Sequence, residues 1–194
     1  LLAAQGQCLA FEPPHFGAAS TVGGMVAAGL SGPSRANVGA VRDFVLGLEM
    51  INGQGEVLRY GGQVMKNVAG YDVSRLMAGS WGTLGVITEV SLKVLPVAPA
   101  EATLRFDSCS QQQALDWLNH WGGQPLPLNA SNWLEEDGKG TLYLRLRGAR
   151  AAVQAATLRL GGERLDSDAN REVLAADWSA SRDLSLPWFQ QRAA

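Results

Sequence analysis

The chain has 194 residues, of which 46% are hydrophobic and 18% are charged, a composition typical of a globular protein rather than a disordered or fibrous one. Its 16 basic and 18 acidic residues give a net charge of −2, which excludes a basic surface field for nucleic acid. The sequence has no apolar run of the ~18 residues that a membrane span needs. It also has no charged segment followed by an apolar one that would direct export.

The two cysteines, Cys8 and Cys109, are far apart in the sequence. We expect both to be reduced structural thiols of a cytosolic protein. Because the chain has no CxxC pair, the sequence predicts no iron–sulfur cluster and no metal site of its own.

A glycine-rich segment, residues 20–24 (STVGG), follows two prolines that hold the chain extended. The small apolar residues of 21–30 predict a short helix, which residues 31–34 (SGPS) end. Since Gly23 and Gly24 carry no side chain, the first N–H groups of that helix are free to face an anion. We interpret the segment as a phosphate-binding loop, with a tight turn that binds nothing as the alternative.

A hairpin is predicted next. Residues 44–51 are apolar at nearly every position and predict a strand covered on both faces, residues 52–55 (NGQG) predict the turn, and residues 56–60 the partner strand. Asp43 directly precedes this hairpin and is a candidate ligand-binding carboxylate. The alternative is that it caps a turn or pairs with Arg42.

A second glycine-rich segment, residues 79–88 (GSWGTLGVIT), contains three glycines and follows a short helix predicted at 68–77. It leads into a strand with strict alternation. The residues predicted on one face are Val86, Thr88, Val90, Leu92 and Val94, and those on the other are Glu89, Ser91 and Lys93.

The sequence changes character after Pro96 and Pro99, and we place a domain boundary there, giving domains 1–98 and 99–194. Strands are predicted at 104–107, 128–134, 142–147 and 163–165, and helices at 110–121 and 149–160, each helix ending in Gly-Gly. This order is βαββαβ, the ferredoxin-like arrangement. The inward residues predicted for the helices and the half-exposed third strand are Ala114, Trp117, Leu118, Trp121, Ala152, Val153, Ala156, Leu160, Leu142, Leu144 and Leu146. Trp133 is also predicted to be core. No motif is found in residues 177–194.

The motifs together resemble a known family. Residues 21–24 (TVGG), 39–48 (GAVRDFVLGL), 66–72 (KNVAGYD) and 82–89 (GTLGVITE) occur in the order seen in flavoproteins of the vanillyl-alcohol-oxidase type, which have a PCMH-type FAD-binding domain. Within that family, residues 64–96 are most similar to FAD-binding subunits of bacterial glycolate oxidases.

The resemblance implies an α+β fold: the second subdomain of a PCMH-type FAD-binding domain, with a mixed or antiparallel sheet and flanking helices, followed by a small ferredoxin-like cap. It implies FAD as the cofactor. The expected FAD-binding residues are Thr21, Val22, Gly23, Gly24, Gly39, Asp43, Gly82, Thr83, Val86 and Ile87. Thr21 to Gly24 are expected at the pyrophosphate or ribityl region, Gly82 to Ile87 at the adenosine end, and Gly39 to Asp43 between them.

The resemblance also implies a function: oxidation of glycolate, a 2-hydroxy acid, to glyoxylate by hydride transfer to flavin. The expected partners are a sister flavoprotein subunit and an iron–sulfur subunit of one oxidase complex. We expect a cytoplasmic protein that reaches the inner membrane only through its partners. The alternatives are a non-redox assembly subunit that retains the flavoprotein fold and, with less support, a small-molecule sensor.

Several positions depart from the family or lack a role in it. Trp81 stands where the family commonly has glutamate, which removes a carboxylate able to bind ribose hydroxyls. Lys66 and Tyr71 are candidates for the cofactor side, with a solvated lysine and a packed tyrosine as alternatives. His15 is expected to be a loop residue rather than a covalent flavin attachment. Neither His15 nor His120 lies in a catalytic motif, so the catalytic base and the substrate-binding cation stay unassigned.

The chain begins with Leu1 in an apolar stretch. We expect it to be a fragment that lacks the N-terminal FAD subdomain of this family. It should therefore bind FAD weakly or not at all by itself.

Overall fold

The computed structural model describes residues 1–63, 70–165 and 170–190. The chain divides into two compact units, one formed by Leu1–Arg35 with Gly39–Pro96 and the other by Ala36–Val38 with Val97–Ala194. The domain limits inferred above, 1–98 and 99–194, remain a prediction.

The described residues of the first half form short helices and five strands. In chain order these are a 3-10 helix (Ala3–Gln5), β1 (Gln7–Cys8), α1 (Val22–Ala28), α2 (Arg35–Val38), a 3-10 helix (Val41–Phe44), β2 (Val45–Ile51), β3 (Val57–Gly61), α3 (Val73–Leu76), β4 (Val86–Leu92) and β5 (Leu95–Pro96). Strands β3, β2 and β4 form an antiparallel sheet in that order, and β1 pairs with β5.

The predicted hairpin is confirmed. Strand β2 is the central strand of its sheet, and its residues Val45, Leu48 and Met50 are at most 5% exposed. The turn forms because the Asn52 side-chain oxygen accepts the N–H groups of Gln54 and Glu56 at 2.9 and 3.0 Å. The core of this unit groups residues from α1, the second 3-10 helix and β2 around Phe11, whose ring lies 5.6 Å from that of Phe44.

The predicted alternation of the last strand of this sheet is wrong at its beginning. Met50 pairs with Ile87 and Glu49 with Glu89, so Thr88 is an extra residue in β4, a β-bulge. The bulge turns Ile87 toward the core and leaves Val86 65% exposed. Val90 and Leu92 pack inward as expected, whereas Val94 follows the end of the strand.

The helix predicted at 68–77 is shorter in the structure. Residues 68 and 69 lie outside the described part, and α3 covers only Val73–Leu76. It begins at Asp72, whose carboxylate accepts the Arg75 N–H at 3.2 Å.

The second half has four strands and four helices in the described residues. They are β6 (Ala100–Asp107), α4 (Gln111–Gly122), β7 (Leu128–Glu136), β8 (Lys139–Gly148), α5 (Arg150–Leu160), β9 (Glu163–Arg164), α6 (Arg171–Arg182) and α7 (Pro187–Gln190). The sheet order is β7-β8-β6-β9 with every pair antiparallel. This is the strand order of the ferredoxin-like fold, so the α+β prediction is confirmed.

One face of this sheet packs against α4 and α5. Leu104, Leu142, Leu144 and Leu146 are fully buried there. The tryptophans predicted to be core are confirmed as such, with Trp117 and Trp121 stacked at 5.8 Å. Ala152 is exposed rather than inward, while Val153 and Ala156 are buried.

The other face is also covered, contrary to the expectation of a half-exposed strand. Helix α6, which was not predicted from the sequence, places Trp178 on this face. The indole N–H of Trp178 donates to the Thr103 hydroxyl at 3.1 Å, and the Arg145 guanidinium lies 4.6 Å from the ring centroid. Arg145 is consequently only 3% exposed, although its alternation with leucine suggested a solvated face.

Among the described residues, no helix is both long enough and apolar enough to cross a bilayer.

Candidate functional site

The first glycine-rich segment forms the start of α1. Thr21 is the N-cap residue, and its hydroxyl oxygen accepts the Gly24 N–H at 3.0 Å. Within the described part of the chain, no hydrogen bond uses the N–H groups of Val22 and Gly23. These two donors point out of the N-terminal end of the helix, where the dipole favours negative charge.

The structure brings the two glycine-rich segments together along α1. The N–H of Gly79 donates to the carbonyl of Val26 at 3.1 Å, and the N–H of Trp81 donates to Ala27 at 2.9 Å. At the other end of the helix, Gly23 packs on Ile87. Residues that are more than 50 positions apart in the sequence thus form one continuous backbone surface.

Two glycines make this close approach possible. A Cβ added at Gly23 would lie 3.0 Å from the carbonyl oxygen of Ile87. Gly29 ends α1 with φ of 68°, and a Cβ there would lie 2.9 Å from backbone atoms of Gly79. Any side chain at Gly29 would push α1 away from the second segment.

The segment from Gly39 to Asp43 lies next to the C-terminal end of α1. The Val41 N–H donates to the Ser31 hydroxyl at 3.1 Å, and Val41 is buried in the same core as Val26. The Asp43 carboxylate accepts the Ala40 N–H at 2.8 Å, which is the turn-capping role given above as the alternative. A contact between Asp43 and a cofactor remains a prediction.

Two grooves flank α1. The first, of about 250 Å³, is lined by Pro13, Pro14, Phe16, Ala19, Ser20, Thr21, Gly24, Met25, Ala28 and Leu30. The second, of about 270 Å³, is lined by Gly29, Leu30, Ser31, Arg35, Ala40, Arg42, Ala78 and Gly79. The first groove is mostly apolar and opens at the glycine loop, whereas the second has two guanidinium groups.

Sequence reasoning missed these two arginines. Arg35 and Arg42 form no ion pair with any residue that the structure describes, and both are exposed. The sequence could have indicated only one of them, because Arg42 lies within a family motif whereas Arg35 belongs to no motif. Their positions beside Gly29 and Gly79 are set by tertiary packing.

The second glycine segment presents its backbone to solvent. Gly82 has φ of 74° and open space where a Cβ would be, and Thr83 donates its hydroxyl proton to the Ser80 carbonyl at 2.6 Å. Trp81 is 70% exposed and has φ of 53°, a conformation that few residues other than glycine adopt. Its ring is therefore held outward by the turn rather than packed in the core.

Lys66, Tyr71 and His120 are further candidates named from the sequence. Lys66 lies outside the described residues. Tyr71 is 96% exposed, so the alternative of a packed tyrosine is wrong. The His120 ring on α4 lies 2.8 Å from the side-chain amide nitrogen of Gln124, which follows the helix. In the described part of the chain, no set of three or more His, Cys, Asp or Glu residues is arranged to hold a metal ion.

A charged group lies on the outer face of the first sheet. The pKa of Glu49 is lowered, first by the hydrogen bond from Arg59, whose Nε donates at 2.7 Å, and then by the Thr88 hydroxyl at 2.9 Å. Because Thr88 is the bulged residue of β4, this interaction fixes the strand at the end of the second glycine segment.

The sequence and the fold of the chain are similar to those of known proteins. Residues 1–61 match the model of the FAD binding domain family. The chain is similar in fold to a solved structure of alkyldihydroxyacetonephosphate synthase, with a TM-score of 0.72 and 18% identity over 94% of this chain and 39% of the other. The chain belongs to the PCMH-type FAD-binding flavoproteins.

Two curated relatives are more specific. The chain is 48% identical over 188 residues to glycolate oxidase subunit GlcE of Escherichia coli, which covers 97% of this chain and 50% of that protein. It is 42% identical over 85 residues to glycolate oxidase subunit GlcD of Bacillus subtilis, which covers 44% of this chain and 18% of that protein. The chain therefore spans about half the length of the GlcE relative.

The residues present fit the pyrophosphate of FAD. An anion at the start of α1 would meet the N–H groups of Val22 and Gly23, which no described residue accepts. The neighbouring groove is apolar enough to bury part of a ring system.

Proposed function

We propose that the chain is part of the FAD-binding subunit of a glycolate oxidase. The observation that carries the proposal is the 48% identity to the GlcE subunit, which extends over 188 residues and so includes the second unit as well as the glycine segments. The convergence of the two glycine segments on α1 supports it independently.

The proposed contacts follow the positions of the residues. Thr21, Val22, Gly23 and Gly24 contact the pyrophosphate or ribityl region through backbone N–H groups. Gly82, Thr83, Val86 and Ile87 receive the adenosine end. Gly39 and Asp43 line the pocket between these two regions. In the second groove, Arg35 and Arg42 offer cations to an anionic group.

The proposed reaction is the oxidation of a small 2-hydroxy acid, glycolate, to the 2-oxo acid. When bound, FAD supplies an acceptor for the hydride of the substrate. The residues of this chain contribute binding and orientation, since α1 and the second glycine segment give a rigid backbone surface against which the cofactor is held. The partners proposed are a sister flavoprotein subunit and an iron–sulfur subunit, in a cytoplasmic complex.

The test uses the complete subunit purified within its oxidase complex. We expect flavin, measured by visible absorbance after denaturation, at about one per subunit beyond the flavin of the sister subunit. The variant Gly23→Ala should lose flavin because the new Cβ meets the Ile87 carbonyl. The matched control Gly53→Ala, where a Cβ meets no atom within 4 Å, should keep it.

Two results would contradict the proposal. Absence of flavin from the wild-type subunit would remove the cofactor assignment. If Gly23→Ala lost the flavin of this subunit while the complex kept its full glycolate oxidation, this subunit would have an assembly role. Circular dichroism of both variants distinguishes loss of cofactor from loss of fold.

A further inference from the structure

The second unit contains a cavity that the proposed function does not use. It has a volume of about 260 Å³ and lies between the sheet and the C-terminal helices α6 and α7. Its lining combines aromatic rings, carboxylates and aliphatic side chains, among them Leu134, Glu136, Tyr143, Asp177, Trp178 and Trp188.

Three different elements supply the aromatic rings. Tyr143 lies on β8 opposite Asn132 of β7. Trp178 is fixed on α6 by its hydrogen bond to Thr103, and it is 8% exposed. Trp188 belongs to α7 and is half-exposed. The rings are thus held by separate parts of the fold around one space.

Trp178 already shows that its ring accepts a cation. The Arg145 guanidinium lies 4.6 Å from the ring centroid. Arg145 also donates from its Nε to the Asn129 side-chain oxygen at 2.6 Å, which fixes the guanidinium beside the ring. Attraction of a cation to an aromatic face is strongest where water is excluded.

Two carboxylates, Glu136 and Asp177, line the cavity. Glu136 and Asp177 form no ion pair with any residue of 1–63, 70–165 or 170–190. The nearby Arg105 is engaged elsewhere, since its guanidinium lies 3.2 Å from Asp107 and 2.6 Å from Glu163. Two carboxylates that line the cavity are therefore not held in an ion pair with a described residue.

The pKa of Tyr143 is affected by the neighbouring charged groups. Burial raises the pKa of the Tyr143 hydroxyl, and the charges of Asp107, Glu136 and Asp177 raise it further, against an opposing effect of Arg105. The phenol is therefore neutral at physiological pH and presents an intact aromatic face to the cavity.

We propose that this cavity binds a small organic cation, an alkylammonium or quaternary ammonium compound, between the rings of Tyr143, Trp178 and Trp188, with Glu136 and Asp177 balancing its charge. The cavity volume of about 260 Å³ is just below the ~300–1,000 Å³ of pockets for drug-sized ligands, so the ligand is expected to be smaller than a drug-sized molecule. Carboxylates next to the aromatic rings repel anions such as 2-hydroxy acids, so this site differs in chemistry from the one proposed for the oxidase reaction.

The test is a titration of the complete chain with choline and with 3,3-dimethyl-1-butanol, its neutral analogue of the same shape. Binding is measured by isothermal calorimetry and by quenching of tryptophan fluorescence. We expect saturable binding of choline with one site per chain and at least ~10-fold weaker binding of the alcohol, because a cation–π contact and charge pairing together exceed about 1.4 kcal/mol. A second cation, n-butylamine, extends the test to primary ammonium groups.

Variants locate the site. Asp177→Asn, Glu136→Gln and Trp188→Leu should each weaken choline binding by roughly 3- to 10-fold. The control Glu172→Gln removes a charge from α6, the helix that carries Asp177, at a position that does not line the cavity. It should leave choline binding unchanged. The proposal is overturned if neither cation binds saturably, if the alcohol binds as well as choline, or if the control variant weakens binding as much as Asp177→Asn does.

Discussion

The N–H of Trp81 donates a hydrogen bond of 2.9 Å to the carbonyl of Ala27. With the bond from Gly79 to Val26, it fixes the second glycine segment alongside helix α1. The two segments that we propose for flavin binding are therefore joined by backbone interactions, which do not depend on the identity of the side chains. Their close approach depends instead on glycine.

The first prediction concerns Gly29, which ends α1. We expect Gly29→Ala to lower the free energy of unfolding by roughly 2–4 kcal/mol, since it combines a left-handed backbone with a Cβ 2.9 Å from Gly79. Urea denaturation followed by circular dichroism measures the change. Gly79→Ala has positive φ but no steric contact and should cost less, and Gly53→Ala should have little effect. Equal losses in all three variants would show that contact with Gly79 is unimportant.

The second prediction concerns the cap of α1. Thr21→Ala removes the acceptor for the Gly24 N–H and should destabilise the chain by about 0.5–2 kcal/mol. Thr21→Ser keeps the hydroxyl and should be within about 0.5 kcal/mol of the wild type. Hydrogen exchange of the Gly24 amide is the second readout, and it should accelerate in the alanine variant alone. Unchanged exchange in Thr21→Ala would exclude the capping role.

The third prediction is a pH dependence at Glu49. Since the pKa of Glu49 in the folded state lies below its usual 4.5, the carboxylate stabilises the fold fully above that value. This contribution is lost as the pH falls through the lower folded-state pKa. The stability difference between wild type and Glu49→Gln should accordingly be largest near neutral pH and shrink in acid.

A direct measurement tests the cause of that shift. NMR titration of the Glu49 carboxyl should give a pKa below 4.5 in the wild type, and Arg59→Gln should raise it because the largest favourable contact is removed. A pKa that stays low in Arg59→Gln would assign the shift to Thr88 or to another group.

The fourth prediction concerns the second face of the ferredoxin-like sheet. Thr103→Val leaves the buried Trp178 N–H without its acceptor, and we expect a loss of about 1–3 kcal/mol in the free energy of unfolding. Trp178→Phe removes the same hydrogen bond from the other side while it keeps an aromatic ring beside Arg145. Combining the two variants in a double-mutant cycle should show a smaller loss than the sum of the single losses. Strict additivity would mean that the hydrogen bond does not stabilise the chain.

Local patterns in the sequence determined much of this protein. The turn at residues 52–55 was predictable because asparagine and glycine favour its geometry, and the two strand–helix units of the second half were predictable from alternation and helical spacing. Burial of the tryptophans on α4 followed from their spacing as well. The family motifs, taken in their order along the chain, predicted FAD as the cofactor.

Only the tertiary structure decided the rest. The bulge at Thr88 reverses which residues of β4 face inward, and it depends on pairing with Glu49 and Met50, nearly 40 residues earlier in the chain. The burial of Arg145 requires α6, whose Trp178 reaches the sheet from more than 30 residues away. The contact between Gly29 and Gly79 has the same origin. Periodicity reports only the preferences of neighbouring residues, whereas these features arise from contacts between distant ones, which exist only when the chain is folded.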